Sequence, residues 1–176
     1  VLLPAANLES CVATKKYTLQ GEARLDASSL TYGANLLTGD GTTEWTAGNG
    51  TGAEVGGEYV LSSTSSGYIY RSINVTSGKV IKVVFKAKSA GYTGAIRVYH
   101  NATTNAVSTG NIGASYQTFT LYLIGQGNYT FYIQLLSNYT GDVVFDDIEI
   151  YESSAVAPTL TAQLGTKSVT SSALSI

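Results

Sequence analysis

Residues 141–152 read GDVVFDDIEIYE. Val144, Ile148 and Ile150 recur at every second position, the period of a strand with one buried face. Asp146 shares that phase, so the pattern predicts it on the apolar side. A carboxylate there costs several kcal/mol unless it is paired, hydrogen-bonded or bound to a metal. The segment therefore reads as a closing core strand with one charged residue to be accounted for.

Upstream the same period repeats. Ile81, Val83, Phe85 and Ala87 alternate with Lys82, Lys86 and Lys88 in VIKVVFKAKS. Ile96 and Val98 alternate with Arg97 and Tyr99, and Phe119, Leu121 and Leu123 with Thr118, Thr120 and Tyr122. Tyr129, Phe131, Ile133 and Leu135 oppose Tyr132 and Gln134. EYVLSS and SGYIYRSINV read as two further strands. Gly, Asn and Ser break these runs at turn spacing. Sequential antiparallel strands with short turns account for residues 58–152, and the expected fold is an all-β, antiparallel jelly-roll β-sandwich. One short helix is conceivable, over Asn7–Thr14.

The flanks differ. Residues 1–33 and 153–176 are expected to be extended N- and C-terminal arms around a sandwich at 34–152. Pro158 marks a boundary, and TLTAQL beyond it has the character of one more strand. Apolar residues recur in both arms, from Leu2 to Leu30 and from Leu160 to Ile176. Such residues favour pairing with a neighbouring subunit over solvation.

Composition limits function. The 176-residue chain is only 12% charged, with 13 Tyr, 19 Gly and a formal net charge of -2. That profile suits an extracellular, cell-surface or virion protein. No basic patch suggests nucleic acid or anionic membrane as partner, and no run of 18 apolar residues suggests membrane insertion. Cys11 is the single cysteine, so this sequence holds no internal disulfide. Five Asn-x-Ser/Thr triplets begin at Asn49, Asn74, Asn101, Asn128 and Asn138.

Three blocks carry a family resemblance. ANLLTGDGTTEWTAGNG (34–50) presents Asn35, Leu36, Gly39 and Trp45; VTSGKVIKVVFKAKSAG (75–91) follows; VVFDDIEIYE (143–152) closes. In order, they resemble the family 4 and 9 type carbohydrate-binding modules, a jelly-roll domain that also occurs in bacteriophage fibres and surface adhesins. The resemblance implies a structural calcium near the closing-strand aspartate, with Asp146, Asp40 and Glu44 as candidate ligands. Calcium asks for six to eight oxygens. The alternative at the residue level is an aspartate satisfied by backbone N–H groups or by a lysine. No other cofactor is expected.

No catalytic constellation emerges. His100 is the sole histidine and shares the phase of Ile96 and Val98, so it reads as a packed residue. Asp146 and Asp147 are adjacent, pointing to opposite faces of a strand, and cannot act as a glycosidase pair. What remains is a surface. Tyr70, Arg97, Tyr99, Tyr122, Tyr132 and Gln134 are outward positions, where rings stack on sugars and Arg and Gln bond hydroxyls. Tyrosines also favour strands and subunit interfaces. The expected role is a non-catalytic structural or adhesion protein of an extracellular or virion assembly, such as a phage fibre or decoration component, contacting glycans. Its partners would be copies of itself, other subunits or surface glycans. A carbohydrate-binding module of a secreted polysaccharide hydrolase and a surface filament subunit are the alternatives.

Overall fold

A computed structural model gives the structure of this protein and describes residues 26–38, 41–101, 103–156, 161–164 and 167–170. The chain divides into two compact units, Asp26–Ala157 and a second comprising Val1–Leu25 with Pro158–Ile176. The larger unit is an antiparallel β-sandwich. Its strands are β1 (Tyr32–Asn35), β2 (Thr46–Val55), β3 (Glu58–Asn74), β4 (Lys79–Lys88), β5 (Ala95–His100), β6 (Val107–Asn111), β7 (Gln117–Ile124), β8 (Asn128–Leu135) and β9 (Gly141–Val156). The second unit contains an antiparallel hairpin, β10 (Thr161–Leu164) and β11 (Lys167–Thr170). The strand expected in TLTAQL is therefore present. The helix expected over Asn7–Thr14 lies outside the described residues.

Neighbouring strands run in the order β6-β5-β8-β3-β9-β4-β7, with β1 added to β9 and β2 to β3. One long strand changes partners midway. The second half of β3 pairs with β8 from Tyr68↔Gln134 to Asn74↔Asn128, and its first half pairs with β9 from Tyr59↔Phe145 to Ser63↔Gly141. EYVLSS and SGYIYRSINV are thus one 17-residue strand, not two. The glycine-rich β2, which carries no alternating apolar signal, is held by its pairing to β3.

The alternation seen in the sequence produces the core. Ile81, Val83, Phe85 and Ala87 of β4, Ile96 and Val98 of β5, and Phe131, Ile133 and Leu135 of β8 are buried. Phe85 packs against Phe119 and Phe145 with ring centroids 5.5 and 6.2 Å away. Trp45 meets Phe131 edge-on at 6.5 Å and donates Nε1–H to the Gly41 carbonyl at 2.7 Å. Gly41 has φ 78°, and a Cβ there would stand 1.8 Å from the Ile148 carbonyl oxygen, so only glycine fits.

The closing strand corrects the expected phase. Val143 and Phe145 are buried, not Val144, and beyond them Ile148 and Ile150 are buried. Between Lys86↔Asp146 and Val84↔Glu149, two residues of β9 stand against Phe85 alone. This is a β-bulge. Asp147 is the extra residue and adopts φ 47°. The bulge moves the inward phase from odd to even positions, so Asp146 is half-buried and off the core face. Straight alternation cannot hold across the bulge, because one extra residue shifts every later side chain to the other face.

Candidate functional site

Cross-strand register gathers one aromatic cluster. Tyr70 of β3 is opposite Tyr132 of β8, which is opposite Tyr99 of β5. Tyr99 and Tyr132 stack with centroids 4.6 Å apart and planes 10° apart; Tyr70 and Tyr132 stack at 5.8 Å and 27°. The three rings therefore cover one another's faces and stand as a fence, turning edges outward. Burial pushes the Tyr99 hydroxyl pKa up, with the Arg97 charge opposing.

The adjacent row holds Tyr68, Gln134 and Arg97, paired in that order across β3, β8 and β5. Arg97 Nη2 donates to Gln134 Oε1 at 2.6 Å, and its guanidinium lies 5.4 Å from the Tyr99 ring centroid. Tyr68 was not singled out from the sequence, although it shares the phase of Tyr70. Its ring is tilted 45° and 58° to Tyr70 and Tyr132, outside the fence. Gly48 of β2 is its cross-strand partner. A Cβ built on Gly48 would lie 2.2, 2.4 and 2.5 Å from Tyr68 Cζ, Cε2 and Oη. A point nearly equidistant from three atoms of a planar group lies over its face. Tyr68 thus lies flat on the Gly48 backbone, with its other face turned away from the sheet.

Tyr122 stands apart from this cluster. It is on β7 opposite Lys82 of β4, in turn opposite Tyr151 of β9. Tyr32 reaches over this second surface, 6.2 Å from the Tyr122 ring, while its hydroxyl donates to the Ala27 carbonyl at 2.7 Å. Lys82 Nζ lies 5.7 and 5.4 Å from the Tyr32 and Tyr151 rings. Ala27 and Val80 are buried and the Tyr32 hydroxyl pKa is pushed up to about 12, chiefly by burial. The chain's own segment thus packs onto this face, and Tyr122 serves that packing. Of the outward residues expected from the sequence, Tyr70, Arg97, Tyr99, Tyr132 and Gln134 do assemble, joined by Tyr68.

Two of the residues suggested for calcium have other partners. Glu44 pairs with Arg71 Nη2 at 2.6 Å, and the Arg71 guanidinium lies over Trp45. Asp146 Oδ1 accepts the Asp147 N–H at 2.8 Å, within the bulge. Lys86 pairs with Asp147, which holds the lysine charged. Asp40 lies outside the described residues. Among the described residues, no group of three or more His, Cys, Asp or Glu side chains gathers around one point. His100 is fully buried, as its phase predicted. Its Nδ1 accepts the Gln126 N–H at 3.1 Å and its Nε2 is 3.3 Å from the Tyr129 carbonyl. All five sequon asparagines are exposed.

No protein-family model matches this sequence, and no curated protein does. Among solved structures, the chain is similar to a family 4 carbohydrate-binding module, at 19% identity over 61% of this chain and 86% of that one, TM-score 0.48. It is similar to the N-terminal cellulose-binding domain of Cellulomonas fimi β-1,4-glucanase C, at 10% identity over 66% and 93%, TM-score 0.49. It is also similar to the enzymatically active domain of tailspike protein 4 of bacteriophage CBA120, at 17% identity over 68% of this chain and 21% of that one, TM-score 0.46. Its structural neighbours are thus carbohydrate-binding modules and a phage tailspike domain.

Proposed function

We propose that this chain is a non-catalytic carbohydrate-binding domain of an extracellular or virion assembly, and that it binds saccharide on the open face formed by β3, β8 and β5. The observation that carries this reading is the cluster of Tyr68, the Tyr70–Tyr132–Tyr99 fence and the Arg97–Gln134 pair on two adjacent rows. A sugar presents polarised C–H groups on one face and hydroxyls around its rim. The C–H face suits the electron-rich face of an aromatic ring. The rim suits phenol, amide and guanidinium groups, which donate and accept in fixed directions. In this site Tyr68 offers the ring face, and the fence and the Arg97–Gln134 row offer the polar contacts.

One fact favours this face over the opposite one. The second aromatic surface is packed by Ala27 and Tyr32 of the same chain. A tyrosine-rich face also suits a subunit interface, and that is the competing use. A polysaccharide and glycan panel with Tyr68→Ala and Tyr132→Ala separates the two. Saccharide binding that falls at least tenfold in both variants, about 1.4 kcal/mol each, with unchanged circular dichroism, supports the reading. No saccharide bound by wild type, together with a change of solution mass in the variants, defeats it. In the wider assembly, copies of this chain or other subunits would be joined through the flanking segments, the role expected of the arms.

A further inference from the structure

We infer that the saccharide bound on this face is acidic, with a carboxylate received by Arg97 and a neighbouring sugar ring stacked on Tyr68. The inference rests on the carbohydrate reading and narrows it. Six Lys and Arg residues lie among the described residues of the Asp26–Ala157 unit. Arg71, Lys79, Lys86 and Lys88 each pair with a carboxylate. Lys82 lies between the Tyr32 and Tyr151 rings, on the packed face. Arg97 alone faces the open cluster, and it has no carboxylate partner among the described residues. β5, β8 and the Tyr68–Asn74 half of β3 contain no Asp or Glu, so among the described residues of these strands this face carries one positive charge with nothing to balance it.

The guanidinium is also positioned rather than loose. Its Nε is buried without a hydrogen-bond partner, Nη2 gives one hydrogen to Gln134, and the Tyr99 ring flanks it. Five N–H groups form a rigid fork. With Nε turned inward and one hydrogen used, three N–H groups on the two terminal nitrogens have no acceptor among the described residues. Two parallel donors at that end match the two oxygens of a carboxylate. A half-buried cation without a counter-ion loses solvation that only an anion restores in full. Neutral hydroxyls restore part of it.

Spacing then sets the ligand's length. Tyr68 and Arg97 are separated by two strand spacings through Gln134, about 10 Å. One sugar on Tyr68 therefore leaves the next, or the one after it, over the guanidinium. A saccharide running across the strands, with its acidic residue one or two units from the stacked one, satisfies both ends.

The test compares matched probes: oligogalacturonate with the neutral galactose oligomer, hyaluronan tetrasaccharide with chitotetraose, and sialyllactose with lactose. Each is titrated calorimetrically against wild type, Arg97→Gln and Arg97→Lys. We expect one or more acidic members to bind at least tenfold more tightly than their neutral partner. That preference should vanish in Arg97→Gln, survive in part in Arg97→Lys, and shrink in about 0.5 M salt, where the Debye length is a few ångströms. Neutral members bound equally well or better, or Arg97→Gln weakening both members alike, would overturn the inference while leaving carbohydrate binding standing. Free acetate binding as tightly as the acidic sugars would reduce the site to an adventitious ion only. No saccharide bound by wild type, acidic or neutral, removes both readings together.

Discussion

Deleting Asp147 removes one residue from the middle of a core strand, yet the structure predicts that the fold survives. Without it, Val143, Phe145, Ile148 and Ile150 fall into unbroken alternation, and Ile148 comes to stand opposite Phe85. The deletion removes a non-glycine residue at φ 47°, a conformation costing about 1–2 kcal/mol. It also removes the Lys86–Asp147 pair, whose side chains are 38% and 55% exposed, so water screens it and little is lost. Some twist is lost as well, and Gly41 must re-seat on the Ile148 carbonyl. These terms nearly cancel, so stability should stay within about 1.5 kcal/mol of wild type. Deleting Glu149 is the control. With the bulge kept, Ile150 leaves the core; with the bulge dissolved, Ile148 leaves it. Both isoleucines are fully buried, and losing one costs about 2–5 kcal/mol through lost burial and the cavity left behind. Urea unfolding followed by Trp45 fluorescence measures both. A ΔAsp147 protein as unstable as ΔGlu149 would refute the reasoning and make the bulge itself a requirement of the fold.

Three further outcomes follow. Asp146→Ala should cost only about 0.5–1 kcal/mol, since it loses one acceptor for the Asp147 N–H on a half-buried surface; a loss above 3 kcal/mol in denaturant titration contradicts the bulge geometry. Gly48→Ala keeps an allowed backbone but displaces the Tyr68 ring, so saccharide affinity should fall several-fold at unchanged melting temperature. In a Tyr68→Ala background the same substitution should have no further effect, and additive losses would rule out the stacked arrangement. Burial lowers the His100 pKa below its unfolded value of about 6.5. The unfolded chain then binds more protons in that window, so stability is full above about pH 6.5 and declines as pH falls below it. A pH series of wild type and His100→Gln checks this: the decline between pH 6.5 and 5.5 should be absent in the variant, and equal declines would assign it elsewhere.

The all-β class was legible because strand alternation is a local property. Whether a side chain is apolar and where the next one falls decide it, and β4, β5 and β8 buried the residues their pattern named, except Tyr129 at the start of β8, which is exposed. The packed state of His100 came from the same phase. The opening block of Asn35 to Trp45 was legible as a unit, and it docks on β9 through Asn35 Oδ1, which accepts the Ile150 N–H. The bulge was not legible. An extra residue leaves the apolar letters in place and changes only their parity, and which parity faces inward is set by the partner strand β4. The same holds for the site. Sequence alone listed outward tyrosines strand by strand, but could not tell that β3, β8 and β5 are neighbours and β7 is not. Cross-strand register, fixed by hydrogen bonds between strands distant in the sequence, brought Tyr70, Tyr132 and Tyr99 together, sent Tyr122 to the other face, and laid Tyr68 over a glycine. Chemistry along the strand was written in the sequence; chemistry across the strands was decided by the fold.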